Sequence, residues 1–142
     1  MTKTYRSVNV VIVFHPDGEK VLMCHRTKNP YLGLYNFVGG KKEANESDDE
    51  AAYRELFEET GISSQDIKLT HLFTTDYHLD EISLFVYFGS LKSEVELRSE
   101  KHPLHWIPIK GTDFADESKF AGQGNIKHMI EIIQESKQRE GL

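Results

Sequence analysis

Three glutamates within five consecutive positions, Glu55, Glu58 and Glu59, are the residues of this sequence best suited to chemistry. On an α-helix, which advances about 100° per residue, Glu55 and Glu59 lie about 40° apart, with Glu58 about 60° to the other side of Glu55. The three carboxylates therefore share one face in the C-terminal half of a predicted helix. Carboxylate oxygens are ligands that a hard divalent cation such as Mg²⁺ prefers, so the pattern indicates a metal site.

The end of a helix is an unfavourable place for acids unless something positive lies nearby. Carboxylates at the negative end of the helix dipole cost a few tenths to about 1 kcal/mol each, and like charges four residues apart add a similar penalty. A solvated acidic face is the common interpretation of such a cluster. A glycine pair, Gly39 and Gly40, stands just upstream. The glycine pair and the energetic cost of the clustered acids would also fit a bound cation. The residue types therefore leave both interpretations open.

The helix that carries the acids is predicted to end at Gly61, which stands in a C-cap position. Two apolar positions, Ala52 and Leu56, and Ile62 just beyond the cap supply a packing side. Glu46 stands at the predicted start of the helix, where a carboxylate complements the dipole. We therefore expect a structural role for Glu46.

The segments around this helix predict a sheet. Residues 7–14 form a β-branched run, the turn signal HPDG follows, and residues 20–26 complete a hairpin. A short extended piece is expected at 34–38. Two antiparallel strands are expected in IKLTHLFTTDY and EISLFVYFGSL, and a shorter one in HWIPI.

A final helix is expected at about 124–138, because its apolar residues recur with helical spacing. Its stripe consists of Ile126, Met129, Ile130 and Ile133. Strands with two dispersed helices predict an α/β fold, in which a mixed sheet is covered on its faces by helices.

Length, charge and cysteine content narrow the class of protein. The 142 residues suit one domain, residues 1–142. A net charge of −6 argues against a nucleic-acid partner, whose binding surfaces are usually basic. The first residues contain only a short apolar run, so no signal peptide or membrane span is expected. The single cysteine, Cys24, excludes an intramolecular disulfide and fits a reducing compartment, so we expect a cytoplasmic location.

Residues 40–62 resemble the Nudix box, in which a glycine, five residues, a glutamate and seven residues precede the motif R-E-U-x-E-E-x-G-U, with U aliphatic. All nine defined positions are matched, by Gly40, Glu46, Arg54, Glu55, Leu56, Glu58, Glu59, Gly61 and Ile62. On this resemblance the chain is identified as a member of the Nudix hydrolase family. The resemblance implies a single Nudix domain, an α/β/α sandwich with a mixed central β-sheet.

The resemblance also implies metal-dependent hydrolysis of a nucleoside diphosphate linked to another group. Glu55, Glu58 and Glu59 would hold Mg²⁺, with Mn²⁺ as the alternative ion, joined by the main-chain carbonyl of Gly39. Arg54 would support catalysis by holding the glutamates through charge-assisted hydrogen bonds. A surface ion pair with a glutamate four residues away on the helix is the alternative for this arginine.

The general base is open between the box and a later loop. Glu55 is the box candidate, and Glu94, Glu96 and Glu100 are the loop candidates, because they lie between the last long strand and HWIPI. Of the three, Glu100 is favoured as the catalytic residue. Each of them has a solvated surface acid as its alternative interpretation.

Two further segments resemble MutT-type members, which hydrolyse oxidised purine nucleoside triphosphates. LYNFVGGK places Asn36 where an asparagine contacts the base, with a hydrogen bond at a strand edge as its alternative role. KFAGQGNI resembles their segment before the last helix, and Asp116 and Glu117 just before it would meet the purine edge. Tyr77 and His78 stand where ADP-ribose hydrolases carry a proline, which counts against that branch. We therefore predict cleavage of a purine nucleoside triphosphate, oxidised or not, to monophosphate and pyrophosphate.

Other contacts to the substrate are predicted outside the acidic face. Arg26, Gly40 and Lys41 would contact phosphate, although basic residues at strand ends are usually solvated. Four aromatic side chains are candidates either for stacking on a base or for the core, namely Tyr31, Tyr35, Phe37 and Phe120.

The sequence also leaves alternative substrates and an alternative function open. Nucleotide sugars or dinucleoside polyphosphates are the alternative substrates, and a nucleotide-sensing Nudix module without turnover is the alternative function. The intact box favours the enzyme. The expected partner is a small nucleotide, without nucleic acid or membrane, and the chain would act as a monomer or homodimer. His102 and His105 lack a cysteine partner, so a structural zinc is not expected.

Overall fold

The computed structural model of the chain describes residues 5–122 and 124–140. Its elements in chain order are β1 (Arg6–Phe14), β2 (Lys20–His25), β3 (Tyr35–Asn36), β4 (Val38–Lys41), α1 (Asp48–Thr60), β5 (Thr70–Tyr77), β6 (Ile82–Ser90), β7 (Leu104–Pro108) and α2 (Asn125–Glu140). Within the described ranges, no helix is long and apolar enough to cross a membrane.

The sheet is built around β1, whose apolar run is buried on both faces, as is typical of a central strand. Its main path runs β3-β2-β1-β6-β5, while β4 pairs with β1 and β7 pairs with β2. The β1–β6 pair is parallel, and the remaining strand pairs are antiparallel. The mixed sheet of the predicted fold is therefore confirmed.

A helix covers each face of the sheet. Successive side chains of β1 point to opposite faces, so they belong to different cores. Ile12 and Phe14 belong to a core with α2, which contributes its predicted stripe of Ile126, Met129, Ile130 and Ile133. Val11 and Val13 belong to a second core, which contains Leu56 of α1. The predicted α/β/α sandwich is confirmed.

Local capping defines α1 at both ends. Ser47 is the N-cap, and its side chain and that of Glu50 form a capping box with each other's backbone amides. Gly61 adopts the left-handed conformation with φ of 82°, and its amide donates to the Phe57 carbonyl at 2.9 Å. The helix that carries the three glutamates thus ends at the glycine predicted from the sequence.

The extended piece predicted at 34–38 is two separate strands in the structure. Asn36 ends β3 and Val38 begins β4, and Phe37 between them turns into the α2-side core. β4 then continues through the glycine pair along β1, with Gly39 opposite Val10 and Gly40 opposite Asn9. The β1–β2 hairpin is confirmed, but β2 ends at His25 rather than at residue 26. The final helix runs to Glu140 rather than to about residue 138.

Candidate active site

The glycine strand β4 runs beside α1 and is fixed on both sides by polar contacts. The Gly39 amide donates to Glu59 Oε2 at 2.8 Å, and the Gly40 amide donates to Asn9 Oδ1 at 3.2 Å. Asn9 is almost completely buried, so its amide must find partners within the protein. These bonds connect the backbone of β4 to the acidic end of α1 on one side and to β1 on the other.

Glycine is required at the two positions for different reasons. Gly39 has a φ of 152°, and a Cβ there would overlap the backbone carbonyl of Asn9 on β1. A Cβ on Gly40 would overlap the carboxylate of Glu55. The first glycine therefore permits the strand pairing, whereas the second leaves space for a carboxylate.

Arg54 holds several acidic groups together. Its Nε donates to Glu46 Oε2 at 2.9 Å and its Nη2 to Glu46 Oε1 at 2.8 Å, which is a bidentate pair. Nη1 donates to Glu55 Oε1 and to Glu58 Oε2, each at 3.0 Å. Nη2 also donates to the carbonyl of Lys41 at 2.9 Å. The ion pair with Glu58 is therefore one contact in a network that links the start of the acidic segment to the far end of α1.

Glu46 lies two residues before the first residue of α1, so its contact with the dipole is not its main interaction. Besides its two bonds to Arg54, its Oε1 accepts from the amide of Glu43 at 2.7 Å. The Arg54 guanidinium, aided by this amide, lowers the pKa of Glu46 to about 2. The structural role expected for Glu46 thus rests on anchoring Arg54 rather than on the helix start.

The three helix glutamates have different environments. The Glu58 side chain is 49% exposed, whereas that of Glu55 is 17% exposed. Burial raises the pKa of Glu55, against the effect of Arg54. Burial also raises the pKa of Glu59 to about 7, assisted by the charge of Glu55 and opposed by the hydrogen bond from Gly39. Burial therefore disfavours the charged form of both carboxylates, although Glu55 keeps its ion pair with Arg54.

The donor types at this site fit a hard divalent cation. Carboxylate oxygens of α1 lie beside the backbone of the glycine strand, and Mg²⁺ prefers such oxygen ligands. In residues 5–122 and 124–140, no three acidic, histidine or cysteine side chains are already arranged as a ligand set. Arg54 holds Glu55 and Glu58, and the Gly39 amide holds Glu59. The ligand assignment for Gly39, Glu55, Glu58 and Glu59 stays a prediction.

The loop between β6 and β7 separates the three candidates for the general base. Glu100 lines a surface pocket of about 550 Å³ together with Glu58 and Phe57 of α1. Glu94 lies in a different pocket, where its Oε1 bonds to Nε2 of His15 at 3.1 Å. Glu96 is exposed. Of these three, Glu100 is the one placed beside the box helix, and its catalytic role stays a prediction.

The predicted base-binding residues lie around β3. The Tyr35 amide donates to the carbonyl of Lys119 at 2.7 Å, so the segment with Asp116 and Glu117 runs near this strand. Asn36 Oδ1 accepts from the amide of Phe37 at 2.8 Å. The Asp116 carboxylate accepts from the backbone and hydroxyl of Ser118, whereas Glu117 is exposed. The structure therefore brings the two segments together, and their contact with a base stays a prediction.

The aromatic candidates divide between core and surface. Phe37 and Phe120 are buried in the core on the α2 side. Tyr35 stacks on His25 with a centroid distance of 4.6 Å, and Tyr31 is half exposed. Only the two tyrosines are therefore open to a ligand.

A family model described as the NUDIX domain matches residues 3–126 of the chain. The chain belongs to the Nudix family. It is a Nudix hydrolase, an enzyme class that acts on phosphoanhydride bonds.

Solved structures of Nudix proteins share the fold at low identity. A MutT structure from work on Aliivibrio salmonicida and Vibrio cholerae is 23% identical, with a TM-score of 0.68 over 92% of this chain and 98% of that one. The Nudix domain of Shewanella oneidensis NrtR, in complex with ADP-ribose, is 21% identical, with a TM-score of 0.71 over 95% and 90%. An Ap4A hydrolase of C. elegans is 17% identical, with a TM-score of 0.69 over 95% and 99%.

Two residues of this Nudix site were missed from the sequence. Asn9 is the single amide in the apolar run VNVVIVF, a signal that could have marked it. Lys101 lines a crevice with Glu59, but nothing in its local sequence distinguishes it from other surface lysines.

Two of the residues predicted to contact phosphate lie in different parts of the site. Arg26 lies near enough to Glu59 to lower its pKa, and Lys41 directly follows the glycine pair in β4 and is exposed.

Proposed function

We propose that this Nudix hydrolase uses Mg²⁺ to cleave a purine nucleoside triphosphate, ordinary or oxidised, to monophosphate and pyrophosphate. The observation that carries the proposal is the pair of half-buried carboxylates, Glu55 and Glu59, held against the glycine strand with raised pKa values. Half-buried carboxylates next to a glycine backbone suit a cation that bridges protein and phosphate.

The residues of the chain have distinct parts in this reaction. Glu55, Glu58 and Glu59, with the carbonyl of Gly39, would hold the cation. The bound ion supplies charge neutralisation on the phosphate oxygens and lowers the pKa of a coordinated water. Arg54 keeps two of the carboxylates in place through its bonds to Glu55 and Glu58.

A general base must remove a proton from the attacking water. We assign this step to Glu100, which lines a pocket with Glu58, with Glu55 as the alternative. In the assignment to Glu100 the base belongs to a loop outside the box. The proton of the water is then accepted by the Glu100 carboxylate, which has no bond to Arg54 in the described part of the chain.

Contacts to the rest of the substrate are proposed on the sheet side of the site. Arg26, Gly40 and Lys41 would contact the phosphate chain. Asn36 would contact the base, with Asp116 and Glu117 on the purine edge. The proximity of the Lys119–Tyr35 contact to both segments supports a shared base pocket.

Asn36→Ala is expected to raise KM for purine triphosphates roughly tenfold with little change in kcat, because one hydrogen-bonding amide is lost from the base. Its Oδ1 is already bound by Phe37, so the amide nitrogen is the group left for a ligand. Steady-state kinetics on several nucleotides would measure the change. Gln65→Ala removes an exposed amide from another loop and serves as the control. An unchanged ranking of substrates would remove Asn36 from the base pocket.

The proposed function is tested by phosphate or pyrophosphate release across a nucleotide panel, with Mg²⁺ and with EDTA. The panel holds ordinary and oxidised purine triphosphates, nucleotide sugars and dinucleoside polyphosphates. It includes ADP-ribose and Ap4A, which are named with the structural relatives. We expect turnover of a purine triphosphate that EDTA abolishes.

The other outcomes of the panel separate the alternatives. Metal-dependent turnover of nucleotide sugars or dinucleotides alone would keep the metal site and contradict the base pocket. Binding of a nucleotide without turnover of any would favour a sensing module. Turnover that persists in EDTA would contradict the metal assignment.

We further propose that residues 1–142 form one Nudix domain, which acts in the cytoplasm on a small nucleotide. The free, buried thiol of Cys24 is in keeping with a reducing compartment. The net charge of −6 is unfavourable for binding nucleic acid. A monomer and a homodimer are both compatible with this proposal.

A further inference from the structure

The loop between β6 and β7 brings a cationic residue to the metal-binding carboxylates. Lys101 lines a narrow crevice together with Glu59 of α1 and Cys24 of β2. The crevice has room for no more than about one water molecule, so a larger ligand must lie outside it. An exposed lysine at the rim of such a crevice can reach a ligand that lies over the carboxylates.

Hydrogen bonds of the two residues that follow it fix the position of Lys101. His102 Nδ1 accepts from the amide of Thr27 at 3.0 Å and bonds to its hydroxyl at 2.9 Å. The carbonyl of Pro103 accepts from the amide of His25 at 2.8 Å. Lys101 therefore directly precedes a segment that is fastened to the exit of β2.

His102 acts here as a neutral anchor. Burial lowers the pKa of its imidazole, and the positive charges of Arg26 and Lys101 lower it further. An unprotonated Nδ1 is required to accept from the Thr27 amide. The positive charge at this end of the site is therefore carried by Lys101 and Arg26 rather than by the histidine.

Lys101 and Arg26 both lie near the Glu59 carboxylate. Lys101 lines the crevice beside Glu59, and Arg26 directly follows β2, whose Cys24 lines the same crevice. The Glu59 carboxylate bonds to the Gly39 amide, and within the described residues no ion pair joins it to either cation. Arg26 is held by a bond from its Nε to the carbonyl of Pro30 at 2.7 Å. Lys101 thus lies beside the Glu59 carboxylate in a crevice that Val38 of β4 also lines, and Arg26 lies at the exit of β2.

We propose that Lys101, together with Arg26, binds the non-bridging oxygens of the substrate's phosphate chain beside the metal-binding carboxylates. The inference rests on the proposed function and adds a phosphate-binding residue from outside the box. An ammonium with three donors suits oxygens of a flexible diphosphate or triphosphate chain. The loop between β6 and β7 then contributes both the proposed base, Glu100, and the neighbouring phosphate ligand.

Binding of inorganic pyrophosphate in the presence of Mg²⁺, measured by calorimetry, tests the proposal without requiring turnover. Lys101→Ala is expected to raise the pyrophosphate Kd roughly tenfold or more, because a charge-assisted contact is lost. Lys101→Arg should remain within about threefold of wild type, since the positive charge is retained. Lys92→Ala removes an exposed lysine of the same loop and should leave the Kd unchanged.

A second measurement separates phosphate binding from an indirect effect on Glu59. The Kd for Mn²⁺ alone should change less than about twofold in Lys101→Ala and in Lys101→Gln. A pyrophosphate Kd within twofold of wild type in both variants overturns the proposal. A rise in pyrophosphate Kd that is matched by the same change in the Mn²⁺ Kd also overturns it. A failure of the proposed function is distinguishable from these outcomes, because the wild-type enzyme would then show no Mg²⁺-dependent turnover.

Discussion

Glu59→Gln is expected to lower Mg²⁺-dependent turnover about 100-fold or more, with little change in the fold. Glu59 is a half-buried carboxylate whose pKa burial raises to about 7, so a cation beside it would be its main source of stabilisation. Glutamine keeps the shape of the side chain, and its carbonyl oxygen can still accept from the Gly39 amide. The substitution therefore removes one negative charge from a site proposed to hold a dication and leaves the local hydrogen bond in place.

Turnover with saturating substrate, a Mg²⁺ titration and the thermal midpoint measure the effect. Glu58→Gln should behave in the same direction, because the same charge is lost from the adjacent position of α1. Glu43→Gln is the matched control, since Glu43 lies 3.6 Å from Arg54 but is 70% exposed and belongs to no proposed ligand set. Wild-type rates in both Glu58→Gln and Glu59→Gln would contradict the metal assignment.

The parts of the fold that were predictable from the sequence are those that local patterns determine. The burial of β1 follows from a continuous β-branched run, and α2 follows from an apolar stripe at helical spacing. α1 is bounded by a capping box at Ser47 and a left-handed glycine at Gly61. Each of these signals lies within a few residues of the feature that it determines, so no tertiary contact is needed to recognise it.

The contacts that were not predicted join positions far apart in the sequence. Asn9 and Gly40 are 31 residues apart, and only the pairing of β4 with β1 brings them together. β4 takes most of the β1 edge, so the predicted hairpin partner β2 pairs with β1 only at Phe14 and Val21. Lys101 lines a crevice with Glu59, and the adjacent His102 bonds to Thr27, a contact across 75 residues. No local pattern encodes such pairings.

Glu46 illustrates a residue whose role was expected for a different physical reason. The sequence suggests a carboxylate that complements the helix dipole, but α1 begins at Asp48 and its capping box uses Ser47 and Glu50. Glu46 instead receives the guanidinium of Arg54, whose remaining donors hold Glu55 and Glu58. Spacing along the sequence indicated the importance of the position, whereas only the structure gave its partner.

The two glycines of β4 are expected to respond differently to alanine. Gly40→Ala should cost about 1–3 kcal/mol of stability and keep the fold, because its Cβ meets a side chain that can rotate away. Turnover should nevertheless fall about 100-fold, since the Glu55 carboxylate is displaced from the proposed metal site. Gly39→Ala should cost about 3 kcal/mol or more, because its Cβ meets the fixed backbone of Asn9 at a φ of 152°.

Urea unfolding measured beside turnover distinguishes the two effects. Gly18→Ala is the control, because its φ of 74° carries the strain of a positive φ while no atom lies within 4 Å of the added Cβ. We expect about 1 kcal/mol of destabilisation and unchanged turnover in that control. If Gly40→Ala folded and retained wild-type turnover, the position of Glu55 against the glycine strand would not matter for the reaction. A loss of turnover in a Gly40→Ala variant that still unfolds cooperatively, at a cost of no more than about 3 kcal/mol, would instead tie the glycine to the placement of one catalytic carboxylate.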